Sequence, residues 1–257
     1  MKDILVQLTQ VTGLGQDWLW AATLVFLRVG SAIFLMPAFG EQVVPLRVRL
    51  ILALAFTAIV APAVAPGIPL QGYAFPAAVE VTVGLALGLG MRLFILALQV
   101  AGAIIAQSTS LSQLFGGATP EPQPAVGNLL TMAGLALAVL SGLHIRAASL
   151  LILSYRILPA GQMPVVGAMA DWGLIQIARA FALAFSLAAP FVIASVLYNV
   201  ALGIISKAMP QLSVSLVGAP LLTAGGLVLM AIVAPLMLSF WLGGFDAFLV
   251  QPFRTGR

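Results

Sequence analysis

The sequence predicts an all-α protein of the multi-helix membrane type, with long, tilted and broken helices. Hydrophobic residues make up 62% of the 257 residues and charged residues only 7%, whereas a typical soluble domain is about 25% charged. So few charged side chains cannot cover the surface of a soluble globule, and this hydrophobicity excludes intrinsic disorder. The composition therefore indicates several helices suited to a membrane.

Six apolar segments account for most of the chain. Each is long enough to cross a hydrocarbon core of about 30 Å, although the second barely reaches the required length. Strands of a membrane barrel would be about ten residues long and would alternate apolar with polar residues. These segments do neither, so each is predicted to be helical. The segments are 18–39, 48–66, 74–107, 126–155, 173–205 and 212–243.

Two features of these segments are unusual for simple membrane spans. The third would run about 51 Å as one helix at 1.5 Å per residue, which indicates either tilt or packing inside a protein assembly. Proline favours a kink or break where it interrupts a helix. We therefore expect the sixth segment, which contains Pro220 and Pro235, to form two helices joined near 218–220 or 225–226.

The longest polar connection, residues 108–127, has an unusual composition. Prolines at 120, 122 and 124 favour a stiff, extended chain, and the Gly116-Gly117 pair before them frees the backbone. Three apolar side chains, Leu111, Leu114 and Phe115, form a tip. This tip either ends the preceding helix or has a function of its own.

Charged residues in the first, third and fifth apolar segments need a structural explanation. Arg28 is in the first, Glu80 and Arg92 are in the third, and Arg179 is in the fifth. Each would cost roughly 2.5–3.5 kcal/mol at the centre of a lipid-exposed helix. We therefore expect each to serve packing between helices or subunits.

Glu80, Gly84, Gly88 and Arg92 recur at every fourth residue, which places them along one slowly drifting stripe of a helix. Glu80 and Arg92 are too far apart on it to pair with each other. Two glycines four residues apart allow another backbone to approach closely. We expect the stripe to dock against a different polypeptide, with ordinary packing inside the chain as the alternative.

Several classes of function are disfavoured by the sequence. The eleven Lys and Arg residues are scattered, so no basic run is present to bind nucleic acid. The chain has no cysteine and a single histidine, His144, which leaves neither thiolate chemistry nor a multi-histidine metal site. No nucleotide-binding or hydrolase motif is present. We predict no catalytic, cofactor or metal site.

Several motifs, taken in chain order, resemble the FliR family of bacterial type III secretion export-gate proteins. Arg28 is followed by Pro37 and Gly40 in the first block, and Glu80 is followed by Gly84 and Gly88 in the second. The other blocks comprise Gly142–His144, Ser154–Gly161, Asn199, Gly203, Pro210 and Gln211.

The resemblance implies an all-helical subunit, present as one copy in a helical gate with several copies of FliP and FliQ. FlhB and FlhA would adjoin this complex in the bacterial inner membrane, within the flagellar basal body, and unfolded export substrates would cross its channel. Residues 1–170 would resemble a FliP subunit, and 171–257 a FliQ helical hairpin. The loop 108–125, with Leu111, Leu114, Phe115, Gly116 and Gly117, would plug the closed channel.

Two alternatives remain open from the sequence. One is an ion-coupled small-molecule transporter, which Glu80, Arg92 and His144 inside apolar segments would favour. Such a transporter often has internal repeats, and no convincing repeat is visible. The other is the equivalent gate subunit of a virulence injectisome.

Overall fold

The computed structural model describes residues 2–65, 74–110, 125–209 and 214–253. Within these ranges the chain forms seven α-helices and no strand, which confirms the all-α prediction. The helices are α1 (Lys2–Leu35), α2 (Leu46–Val64), α3 (Ala74–Ser110), α4 (Ala125–Leu140), α5 (Leu143–Ile157), α6 (Val166–Ala208) and α7 (Val214–Val250).

The helices match the six predicted apolar segments. Among the described residues, five helices are long and apolar enough to cross a membrane, and a sixth span results if α4 and α5 count as one. The third and fifth segments are indeed very long helices, with 37 residues in α3 and 43 in α6. At 1.5 Å per residue, α6 extends over about 65 Å.

The fourth segment is not the single helix that its composition suggested. It divides at Ser141–Gly142 into α4 and α5, whose axes differ by 74°. Gly142 adopts a left-handed backbone with φ of 84°, which a residue with a side chain would adopt only with strain. Its N–H donates to the carbonyl of Val139 at 3.1 Å and so closes the turn.

The predicted break in the sixth segment is wrong. Helix α7 continues for 37 residues through Pro220, through 225–226 and through Pro235, and α6 likewise continues through Pro190. A proline removes one backbone donor, but local adjustment of the helix can absorb this loss in a membrane protein.

The chain divides into two compact units. The first comprises residues 1–92, 139–175 and 246–257, and the second comprises 93–138 and 176–245. The core of the first unit includes fully buried residues spaced four apart on α1 and α3, which is the spacing of one helix face. They are Val25, Val29 and Ile33 on α1, and Val83, Leu87 and Met91 on α3.

The second unit has an aromatic core. Trp241 stacks on Phe245 with ring centroids 5.3 Å apart, and its indole N–H donates to the carbonyl of Phe94 at 2.8 Å. Gly134 lies against Leu98 and Trp241, and Gly102 against Gly127, so these helices approach at positions without side chains.

Candidate functional site: a buried charge network

Arg28 of α1 and Glu80 of α3 form an ion pair inside the first unit. The Arg28 Nε donates to Glu80 Oε2 at 2.7 Å, and Nη2 donates to Oε1 at 3.0 Å. Both side chains are 0% exposed. This side-on, two-pronged geometry matches the planar guanidinium to the planar carboxylate and gives a strong charge-assisted contact.

Helix α5 supplies the remaining acceptors for Arg28. The Arg28 Nη1 donates to the hydroxyl of Ser154 at 3.1 Å and to the carbonyl of Leu158 at 3.0 Å. The Ser154 hydroxyl donates in turn to the carbonyl of Leu151 at 2.6 Å. Four hydrogen bonds from Arg28 therefore join α1 to α3 and to the end of α5.

Glu80 also receives four hydrogen bonds. Besides the two from Arg28, the Tyr155 hydroxyl donates to Oε2 at 3.1 Å and the Gly161 N–H donates to Oε1 at 3.0 Å. The Tyr155 ring lies against the guanidinium, with 3.8 Å between its centroid and the Arg28 Cζ, which adds a cation–π contact. Gly161 has φ of 71°, a conformation that glycine adopts without strain.

We refer to Arg28, Glu80, Ser154, Tyr155, Leu158 and Gly161 as the Arg28–Glu80 network. A buried ion pair is tolerable when hydrogen bonds satisfy the remaining donors and lone pairs. Here Arg28 donates four hydrogen bonds, and each carboxylate oxygen of Glu80 accepts two. The Arg28 and Glu80 side chains thus balance each other's charge and have no exposed surface, whereas Tyr155, Leu158 and Gly161 are partly exposed. The chemistry of this closed ion pair is that of a structural joint between helices.

The two glycines of the α3 stripe allow α1 and α3 to approach closely. A Cβ atom at Gly84 would overlap the Ser31 side chain and the Arg28 backbone. One at Gly88 would lie 2.6 Å from the Ala32 carbonyl oxygen. Both glycines therefore face α1 of the same chain, which favours the alternative of ordinary packing inside the chain.

The last residue of the stripe, Arg92, also pairs within the chain. It forms an ion pair with Glu41 in the connection between α1 and α2. Arg49 of α2 braces that connection, because its Nη2 donates to the Glu41 carbonyl at 2.9 Å and its Nε to the Val44 carbonyl at 3.0 Å. All four stripe positions thus contact α1 or the segment that follows it.

Two other motif residues lie at the end of α1. Pro37 is buried, and the Gly40 N–H donates to the Met36 carbonyl at 2.8 Å. A Cβ at Gly40 would lie 2.7 Å from the Ile33 carbonyl oxygen, so this position requires glycine for steric reasons.

The motif residues of α6 have a different environment. Asn199 donates through Nδ2 to the Ser195 carbonyl at 2.8 Å, whereas a Cβ at Gly203 would meet nothing within 4 Å. Arg179 is exposed on the same helix, and its role in packing stays a prediction. The motif residues Pro210 and Gln211 lie outside the described residues.

The two remaining groups of residues from the sequence analysis are His144 and the tip of the loop 108–125. His144 is exposed in the first turn of α5. Residues Leu111, Leu114, Phe115, Gly116 and Gly117 lie outside the part of the chain that the structure describes.

Sequence reasoning identified both charges of the network but not their pairing. Ser154, Tyr155 and Gly161 were visible only as parts of a motif, and Glu41 was not singled out. The available signal was the presence of one arginine and one glutamate inside separate apolar segments, because intramembrane charges usually pair with each other.

Comparison with known proteins identifies relatives over most of the chain. Residues 19–248 match the family described as bacterial export proteins, family 1. A flagellar biosynthetic protein FliR from Caulobacter vibrioides is 34% identical over 220 residues, which cover 83% of this chain and 88% of the relative. The protein of the same name from Escherichia coli K12 is 31% identical, with 90% and 91% covered, and that from Bacillus subtilis is 29% identical, with 82% and 85% covered.

Proposed function

Since this chain belongs to the bacterial export proteins of family 1, we propose that it is a component of the flagellar protein export apparatus. The observation that carries the proposal is its similarity to proteins named flagellar biosynthetic protein FliR, at 31–34% identity over most of both chains. Several helices that are apolar enough to cross a membrane support a location in the bacterial inner membrane.

Within that apparatus, the proposed role is that of a structural and gating subunit. It would assemble with FliP and FliQ homologues, adjoin FlhB and FlhA, and help to form the channel for unfolded flagellar subunits. Helix α6 supports this role, because large apolar side chains on it are exposed in the single chain and need lipid or another subunit to cover them. They include Phe181, Phe185, Ile193, Leu197 and Ile204.

The charge pairing weakens the transporter alternative. Of the three residues that favour that alternative, Glu80 and Arg92 are each held in an ion pair within the chain, whereas His144 is exposed. Glu80 in addition accepts four hydrogen bonds and is fully buried. A proton- or ion-coupling carboxylate needs an aqueous path, so we propose a non-enzymatic export subunit instead.

The proposal predicts the behaviour of a strain that lacks its native FliR-type protein. Expression of this chain, or of a hybrid that carries residues 19–248, should restore flagellin secretion into the medium and swimming. An equally expressed chain with a stop codon after Ile157 serves as the control. Normal insertion of the full chain without any secretion would contradict the proposal.

We further propose that the loop 108–125 plugs the closed channel. The apolar tip of Leu111, Leu114 and Phe115 would fill a narrow passage, the Gly116-Gly117 pair would let it swing aside, and the proline-rich arm would limit its travel. Opening requires only a modest free-energy difference between the two states.

Deletion of residues 114–117 tests the plug. The shortened protein should still assemble but should make the resting membrane leaky to ions, and Phe115→Ala should have a milder effect. A Glu121→Gln variant changes the same loop without changing its apolar tip and should stay tight. A membrane as tight as wild type after the deletion would mean that the loop is only a connector.

A further inference from the structure

The connection between α5 and α6 is tied at two points to the N-terminal helices. The Leu158 carbonyl accepts a hydrogen bond from Arg28, and the Gly161 N–H donates one to Glu80. A Cβ at Gly161 would lie 3.3 Å from the Cβ of Pro76, in the first turn of α3. The chain therefore returns to the start of α3 directly before α6 begins.

This attachment is complete without a second polypeptide. The Glu80 carboxylate accepts four hydrogen bonds, all from residues of its own chain. It has no exposed surface through which an atom of another subunit could contact it. Arg28 is equally buried and has its four bonds within the chain.

We infer that Glu80 is a positioning residue that anchors the α5–α6 connection on the start of α3, and that this anchor closes within the single chain before partner subunits join. The subunit would thus enter its assembly with these interior charges already neutralised. The inference rests on the proposed function only in assuming that partner subunits exist.

Engineered disulfides can test the order of events, because the chain has no cysteine of its own. The test pair is Pro76→Cys with Gly161→Cys, whose Cβ atoms would be 3.3 Å apart, close to the separation of about 3.5–4.5 Å in disulfides. The control pair is Gly30→Cys with Ala53→Cys, at 3.9 Å, which joins α1 to α2 away from the network. Disulfide formation is measured in isolated membranes as protection from a maleimide label, with and without co-expressed FliP and FliQ homologues.

Each cysteine pair should form its disulfide to the same extent with and without the partner subunits. Adding Glu80→Leu should slow formation of the test pair at least fivefold and leave the control pair unchanged. Glu80→Gln, which keeps one acceptor oxygen for the Gly161 N–H, should have an intermediate effect. If Glu80 only filled space, Glu80→Gln would not form the test disulfide faster than Glu80→Leu.

Two results would overturn the inference. One is a test pair that forms only when the partners are present. The other is a Glu80→Leu variant in which the test pair forms at the wild-type rate. Because neither readout depends on secretion, the inference can fail while the export proposal stands, and the reverse also holds.

A second measurement avoids the left-handed backbone at Gly161. Ala160 is 4% exposed, so a single Ala160→Cys should react slowly with a water-soluble maleimide. The same cysteine should react at least fivefold faster in the Glu80→Leu background, since the connection is then released. Equal labelling rates in the two backgrounds would contradict the anchor.

Discussion

Replacing Arg28 by Leu removes the cation that neutralises the fully buried Glu80. Of the four hydrogen bonds to this carboxylate, the two from Arg28 are lost, and only those from Tyr155 and Gly161 stay. The Leu158 carbonyl also loses its donor. Removal of one partner from a buried ion pair costs about 3–5 kcal/mol, because the other charge is left uncompensated.

The expected loss can be measured as a shift in the thermal unfolding midpoint of the purified protein in detergent. At about 2–4 °C for each kcal/mol in a chain of this size, Arg28→Leu should lower the midpoint by roughly 6–20 °C. The unfolding midpoint of Arg28→Lys should lie between those of the wild type and Arg28→Leu, because lysine keeps the charge but cannot reproduce the two-pronged contact.

A matched control comes from an exposed arginine of the same unit. Arg47 lies on α2 and is exposed, so Arg47→Leu should change stability by no more than about 0.5 kcal/mol. If Arg28→Leu and Arg47→Leu shifted the midpoint equally, the reasoning that assigns the Arg28–Glu80 network a structural role would be refuted.

Three further substitutions probe the rest of the site. Gly84→Leu would force α1 and α3 apart and should cost about 3 kcal/mol, the upper end of the usual range for overpacking. Gly203→Leu, at an open position, should leave the isolated chain as stable as wild type, and equal losses in the two variants would contradict the close approach. Tyr155→Phe keeps the ring on the guanidinium but loses one bond to a carboxylate, so the midpoint should reflect a loss of about 1.5–3 kcal/mol; no shift would argue against that bond. Arg92→Leu breaks an ion pair whose arginine side chain is 24% exposed, and a loss above about 1 kcal/mol in the same assay would contradict its classification as a partly solvated pair.

The helical fold was predictable from composition, because runs of apolar residues this long have few other ways to satisfy their backbone groups. Where the helices break was harder to predict. The sequence emphasised Pro220 and Pro235, yet α7 passes through both, whereas the chain breaks at Gly142. A proline costs a helix one hydrogen bond, which local adjustment can absorb. The left-handed backbone at Gly142, in contrast, redirects the chain.

The charged members of the site were predictable, but their partners were not. A charged residue in an apolar segment is easy to identify in the sequence, because exposing it to lipid has a high free-energy cost. Arg28 and Glu80 are 52 positions apart, and the hydrogen bond from Arg28 to Ser154 spans 126 positions. Helical periodicity describes neighbours within one helix, so it cannot show which helix face another helix will contact. For that reason the sequence left two partners open for the glycine stripe, another polypeptide or the same chain, and Gly84 and Gly88 face α1.

The most direct test of the export-subunit account is purification of this chain from cells with and without its FliP and FliQ homologues. The account predicts that an affinity tag on this chain recovers FliP and FliQ in one stable complex. It also predicts that the chain purified alone has no transport activity in liposomes. A lone chain that is stable and carries ions or small molecules across the membrane would contradict the account.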